Sequence, residues 1–176
     1  MKKIACIFAA LLLFCLAACQ REAPAAPTDD NPLACGDTFA TLDEALLGGT
    51  YDPDGADIVI ATVGELLKDG AFSDVRALEI QQTVHGDLER AALLQMKDGP
   101  RLSAGKTYLL LLLERPAENE YEIAGYGNQC AFWIESGKVQ CTDADFALQL
   151  REESISTLDG LADYFTARLA ALETTE

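Results

Sequence analysis

The sequence predicts a small, mainly β domain: a closed or nearly closed antiparallel barrel, with a short helix before it and a longer amphipathic helix after it. Two observations carry this expectation. Five to seven short runs of β-branched, aromatic or alternating residues follow one another from Asp57 to Cys141, punctuated by Gly, Pro, Asn and Asp. From Ser156 to Glu173, by contrast, apolar residues recur at helical spacing. A chain of 176 residues suffices for one domain with a real core and hardly for two.

Each element has a local reason. In "TLDEALLGG", Thr41 can cap a helix whose first turn carries Asp43 and Glu44, and Gly48-Gly49 closes it. "DIVIATVGEL" is rich in β-branched residues and reads as a strand buried on both faces. In "DVRALEIQQTVHG", Leu78, Ile80 and Val84 share one face and Glu79, Gln81 and Thr83 the other, as expected of a strand with one wet side. "RAALLQM" and "YEIAGYG" are further strands. "KTYLLLLLE" favours a helix by propensity, but its short length between Gly105 and Pro116 makes it a fully buried strand. "CAFWIESGKVQC" is a hairpin turning on Glu135-Ser136-Gly137-Lys138. In the tail, Ser156 is the expected N-cap and Leu158, Leu161, Phe165, Leu169 and Leu172 form one stripe.

The first residues differ in kind. Lys2 and Lys3 precede an apolar run from Ile4 to Leu16, too short and wrongly flanked for a permanent span, so residues 1–18 read as a signal peptide. The run ends in Leu16-Ala17-Ala18-Cys19, which resembles the lipobox of bacterial lipoproteins. That resemblance implies that Cys19 becomes the acylated N-terminus and that acyl chains hold the protein at a cell membrane or outer membrane, on the extracytoplasmic side. Residues 19–34, "CQREAPAAPTDDNPLA", read as an extended tether, and the barrel domain with its terminal helix is assigned to 35–176.

The formal charge is −16, and removal of Lys2 and Lys3 leaves 11 basic residues against 29 acidic ones, or −18. Such a field repels nucleic acid and anionic lipid headgroups, and no nucleic acid partner is expected. "DGPRLSAGKT" has the Gly-Lys-Thr of a nucleotide-binding loop, but the first Gly, which must stand with four residues between it and Gly105-Lys106-Thr107, is replaced by Pro100, and a strand follows. No nucleotide is therefore expected. His85 is the sole histidine, and with Asp87 nearby it forms neither a zinc set nor a hydrolase triad, so "HGD" reads as a turn. "DPDGAD" misses the calcium-loop register in either alignment. No metal, cofactor or catalytic set is called for. Cys35, Cys130 and Cys141 remain in an oxidising setting and are disulfide candidates. With Ile134 facing Val139, Cys141 lies opposite Phe132 and diagonal to Cys130, while Cys35 could take either partner. Phe132, Trp133, Tyr121 and Tyr126 read as barrel core.

"ADIVIATVGEL", "ALEIQQTVHGD", "LSAGKTYLLLLL" and "YEIAGYGNQCAFWIESGKVQC" follow in order across residues 56–142. That succession resembles small secreted bacterial modules with the OB-type barrel of tissue inhibitors of metalloproteinases and netrin modules. Ala56-Asp57-Ile58-Val59, His85-Gly86-Asp87, Gly105 to Leu110 and Glu135 to Val139 carry the likeness. It implies an OB-like barrel and a non-catalytic binding or inhibitor-like module. The animal inhibitors act through a free N-terminal Cys, which an acylated Cys19 cannot supply. The expected function is a membrane-anchored binding module with a protein partner in the cell envelope; the alternative is a scaffold subunit of an envelope complex.

Overall fold

A computed structural model of the chain describes residues 38–48, 55–97, 100–115 and 120–174. The signal segment, Cys19, the tether and Cys35 lie outside the described residues, as do Asp52 to Asp54 of the "DPDGAD" turn.

The fold is mainly β. Helix α1 (Leu42–Leu46) precedes β1 (Asp57–Asp69), β2 (Ser73–His85), β3 (Ala91–Met96), β4 (Thr107–Arg115), β5 (Glu120–Ile123), β6 (Ala131–Glu135) and β7 (Lys138–Cys141). Helices α2 (Ala144–Glu152) and α3 (Leu158–Glu173) follow. All seven strands belong to one sheet.

Strand β4 organises that sheet. Leu109 to Leu113 are all buried, as a strand covered on both faces requires, and β-pairing here overrides the helical preference of a leucine run. One edge of β4 pairs antiparallel with β1, from Thr107 against Thr62 to Leu112 against Asp57. Its other edge pairs first with β6, Leu109 against Phe132 and Leu110 against Ala131, and then with β5, from Leu112 against Ile123 to Arg115 against Glu120. At the hand-over, Leu111 O accepts from Ala124 N (2.9 Å) and Leu111 N donates to Cys130 O (3.2 Å), so the backbone of Leu111 is satisfied between the two partner strands.

Strand β1 also pairs with β2, β2 with β3, and β3 with β5. The pairings β1-β2-β3-β5-β4 therefore return to β1 in a ring, from which the β6–β7 hairpin extends. The β3–β5 pair is parallel, Leu93 beside Tyr121, which corrects the expectation of a wholly antiparallel sheet. The physical reason is connectivity: β4 crosses between β3 and β5 in the chain, so β5 returns in the direction of β3.

The interior of β1 obeys the expected burial only as far as Val63. Ile58 to Ala61 and Val63 are buried, whereas Glu65 to Asp69 are exposed. Past Thr62 the β4 partner runs out, and register shifts between Val63 and Leu66 and between Leu66 and Lys68 bend the strand away. Beyond Thr62, β1 is therefore an edge strand paired with β2 alone, while β2 stays paired with β3 as far as Ser73.

The β6–β7 hairpin forms in the expected register, Ile134 against Val139, with Ser136 and Gly137 both at positive φ. Helix α3 starts one residue later than expected. Thr157 is its N-cap, its hydroxyl accepting from Gly160 N at 3.0 Å. Leu161, Phe165 and Leu169 of the expected stripe are buried, and Phe165 meets Phe132 edge-on at a centroid distance of 5.3 Å. Arg168 of α3 holds Asp43 of α1 through two N–H donors, at 2.7 and 2.6 Å. Helix α2 was not among the expected elements; Asp143 caps it through bonds from Asp145 N and Phe146 N, and Phe146, Ala147 and Leu150 are its buried face.

Two glycines in the left-handed region separate steric need from conformational need. A Cβ on Gly86 would lie 1.7 Å from Asp57 Oδ1, whereas one on Gly137 would meet nothing within 4 Å. Gly86→Ala is therefore expected to cost at least about 2 kcal/mol in urea unfolding, from strain and displacement together, against about 1 kcal/mol for Gly137→Ala from strain alone.

Candidate functional site

The residues singled out from sequence do not converge on one centre. Gly105 takes a positive φ in the turn that opens β4; its N–H donates to Val63 O (2.8 Å) and that of Lys106 to Ser103 O (3.3 Å). Those two N–H groups are spent within the fold, and Thr107 begins a strand rather than a helix. His85 ends β2, half-buried opposite Ile58, and Asp87 is exposed in the turn beyond it.

Cys130 and Cys141, expected as disulfide candidates, are both buried free thiols here. Cys141 is paired across the hairpin with Phe132, as the register demanded, and its thiol donates to Gln129 O at 3.2 Å. Burial pushes the Cys130 thiol well above its ordinary range, and burial likewise pushes Cys141 up to about 12. Neither becomes a thiolate near neutral pH, so neither is a nucleophile.

The aromatic residues divide. Phe132 is fully buried, and Trp133 and Tyr121 are half-buried against the core. Trp133 meets Tyr108 edge-on at 6.0 Å. Tyr126 alone of the four is exposed, by 47%. It sits at the apex of the loop Gly125 to Gln129, where Gly125, Gly127 and Asn128 all take positive φ. Asn128 tolerates this conformation because its side chain finds a local partner, donating to Pro100 O at 2.7 Å.

Beneath the loop lies the residue that sequence reasoning missed. Gln129 is buried, and its amide accepts from Phe39 N and donates to Phe39 O, both at 2.9 Å. It also donates to Asp143 Oδ2 at 3.0 Å, while Asp143 Oδ1 caps α2. One side chain thus joins the segment before α1, the β5–β6 loop and the start of α2. Gly125 must lack a side chain for this to happen, since its Cβ would lie 2.3 Å from Gln129 Oε1. No local pattern signals it, because the two partners are 90 residues apart.

Above Gln129 is an open recess of about 240 Å³, walled by Pro100, Tyr126, Gly127, Thr142 and Asp143. The Gln129 amide and the Asp143 carboxylate are engaged inside the fold, so the recess offers an aromatic ring and a shallow wall rather than a poised acid–base pair. Chemically it is a contact surface.

Two outcomes follow from these groups. Gln129→Met leaves the Phe39 N–H and C=O without partners and is expected to cost about 1–3 kcal/mol in urea unfolding, with loss of hydrogen-exchange protection at the Phe39 amide. The Cys141 thiol, raised when folded, adds stability that is complete below its unfolded pKa near 9 and is lost as pH rises towards 12. Stability should therefore fall above about pH 9, by up to roughly 1.4 kcal/mol per pH unit for that thiol, and Cys141→Ala should flatten the fall in pH-resolved melts.

Compared with protein-family models, curated proteins and solved structures, the chain matches none.

Proposed function

We propose that the protein is a membrane-anchored extracytoplasmic lipoprotein whose folded part is an OB-like barrel acting as a binding or inhibitor-like module rather than as an enzyme. The observation that carries the barrel reading is the ring of pairings β1-β2-β3-β5-β4-β1 with its single parallel contact between β3 and β5. That order is what a five-stranded Greek-key barrel of the OB type requires, and such barrels present ligands to their strand faces and loops. The anchor reading rests on Leu16-Ala17-Ala18-Cys19 behind an apolar run with two lysines ahead of it.

A binding role is supported by how the reactive groups are used. The thiols are held protonated in the core, Asp143 is committed to capping a helix, and Lys106 occupies a strand-entry turn. Among the described residues, exposed contact area includes Tyr126 over its recess and the edge of β1 past Thr62. The partner class is a protein of the cell envelope.

Fractionation and capture test the two halves separately. Globomycin treatment or Cys19→Ala is expected to shift the protein out of its mature, membrane-held form; unchanged processing and fractionation would refute the anchor. In pull-down from envelope extracts, a partner lost on Tyr126→Ala supports the binding module. A stoichiometric assembly insensitive to that change would point to a scaffold subunit instead.

A further inference from the structure

Beyond Cys19 the chain has three cysteines, Cys35, Cys130 and Cys141, and the fold brings two of the segments that carry them to one place. Thr38 and Thr142 both wall the recess beside Tyr126, together with Gln129 and Asp143. Gln129 fixes the first of these segments by holding the N–H and C=O of Phe39. Cys35 stands three residues ahead of Thr38, so at most about 11 Å of extended chain separates it from the recess. Cys141 immediately precedes Thr142, and its sulfur lies among residues of the same wall. The thiol donates to Gln129 O at 3.2 Å, and the backbone N–H groups of Asp143 and Thr142 face the sulfur.

The other pairings fit worse. Cys130 is wholly buried, whereas Cys141 retains 9% exposure. Cys141 faces Phe132 across the β6–β7 hairpin, which makes Cys130 its diagonal neighbour. Diagonal positions stand roughly 7–8 Å apart, more than a disulfide spans without backbone movement, and the two thiols are free of one another. An unpaired Cys130 is inert where it is. Burial holds its thiol protonated and keeps it away from exchange partners.

We propose that Cys35 and Cys141 form a disulfide at the wall of the Tyr126 recess, with Cys130 remaining a buried thiol. The proposal rests on the extracytoplasmic reading only for its oxidant, a disulfide of an oxidising compartment; the choice of partners is a property of the fold. Two exchanges balance it. The Cys35 thiolate attacks the S–S bond of the oxidant and expels one thiolate, leaving a mixed disulfide on Cys35. The Cys141 thiolate then attacks the Cys35 sulfur and expels the second, so the oxidant is reduced to two thiols that take up the protons of the two cysteines. Burial keeps the Cys141 thiol protonated in the folded chain, which puts the second exchange before the hairpin is covered. Reduced, the segment ahead of α1 is held by the Gln129 amide; oxidised, it is also pinned covalently to β7. The alkaline loss of stability assigned to the Cys141 thiol belongs to the reduced chain.

The mature chain carrying Cys19→Ala, refolded from urea in a mixture of oxidised and reduced glutathione, tests the pairing apart from the anchor and the compartment. Alkylation under denaturing conditions followed by peptide mapping is expected to find one linked pair, Cys35 to Cys141, with Cys130 alone alkylated. Reductant should lower the melting temperature of this protein by several degrees and leave that of its Cys35→Ser variant unchanged. In pH-resolved melts the fall in stability above the ordinary thiol value of 9.0 should be steeper in Cys35→Ser than in the oxidised parent, where only Cys130 remains to titrate among these thiols. Full-length protein alkylated in cells and then extracted from membranes is expected to carry the same link. Cys35 free in both preparations, or a link from Cys130 to either of the other two, overturns the proposal. A Cys35–Cys141 link that forms on refolding but is missing in cells retains the pairing and refutes the oxidising setting instead.

Discussion

The burial of β4 is the constraint on which the rest depends. Five consecutive leucines can be removed from water together only if both faces and both edges of their strand are covered. Strand β1 covers one edge, β6 and β5 divide the other, and the α3 side of the sheet receives Phe165 against Phe132. Because β5 and β6 share one edge of β4, the chain between them must leave the sheet and return within seven residues, Ala124 to Cys130. That detour is the loop with three left-handed residues, and it is what lifts Tyr126 into solvent. Core packing and surface display are thus two results of the same pairing problem.

The detour also brings Gln129 into the interior, where a polar side chain has to be satisfied. It substitutes for a strand partner by pairing with the N–H and C=O of Phe39, and its remaining proton goes to the helix-capping Asp143. Buried amides of this kind are specific rather than strong: fully paired they fix one arrangement, and half-paired they cost more than an apolar residue would. Arg168 on Asp43 adds a second link between the chain ahead of the sheet and the helix after it. The two ends of the described fold are tied to each other as well as to the core.

Much of this was legible because it is local. The β-branched run at Ile58, the Ser136-Gly137 turn, the Thr41 cap and the α3 stripe each announce themselves within a few residues. What stayed hidden depends on partners distant in sequence. The parallel β3–β5 contact follows from where β4 inserts, which no alternation pattern encodes. Helix α2 hides because its nine residues follow a strand after only Thr142 and Asp143, although the Asp143 cap and the spacing of Phe146, Ala147 and Leu150 are readable in hindsight. In "GELLKD" the leucines look like more core, and only the early end of β4 leaves them outside. Tyr126 was read as core for the same reason, since aromatic composition does not say which residue the loop expels.

The Gln129–Phe39 pairing has a mechanical meaning as well. Phe39 is the first described residue held to the fold by a long-range hydrogen bond, and everything N-terminal to it leads by covalent connection towards Cys19. Tension entering from that direction reaches a single residue whose donor and acceptor are gripped by one amide, so both bonds share the load at once. If they yield, α1 and its Asp43–Arg168 link are next in line, and only then the sheet. The amide is placed like a cleat, taking strain before it can peel the sheet open strand by strand.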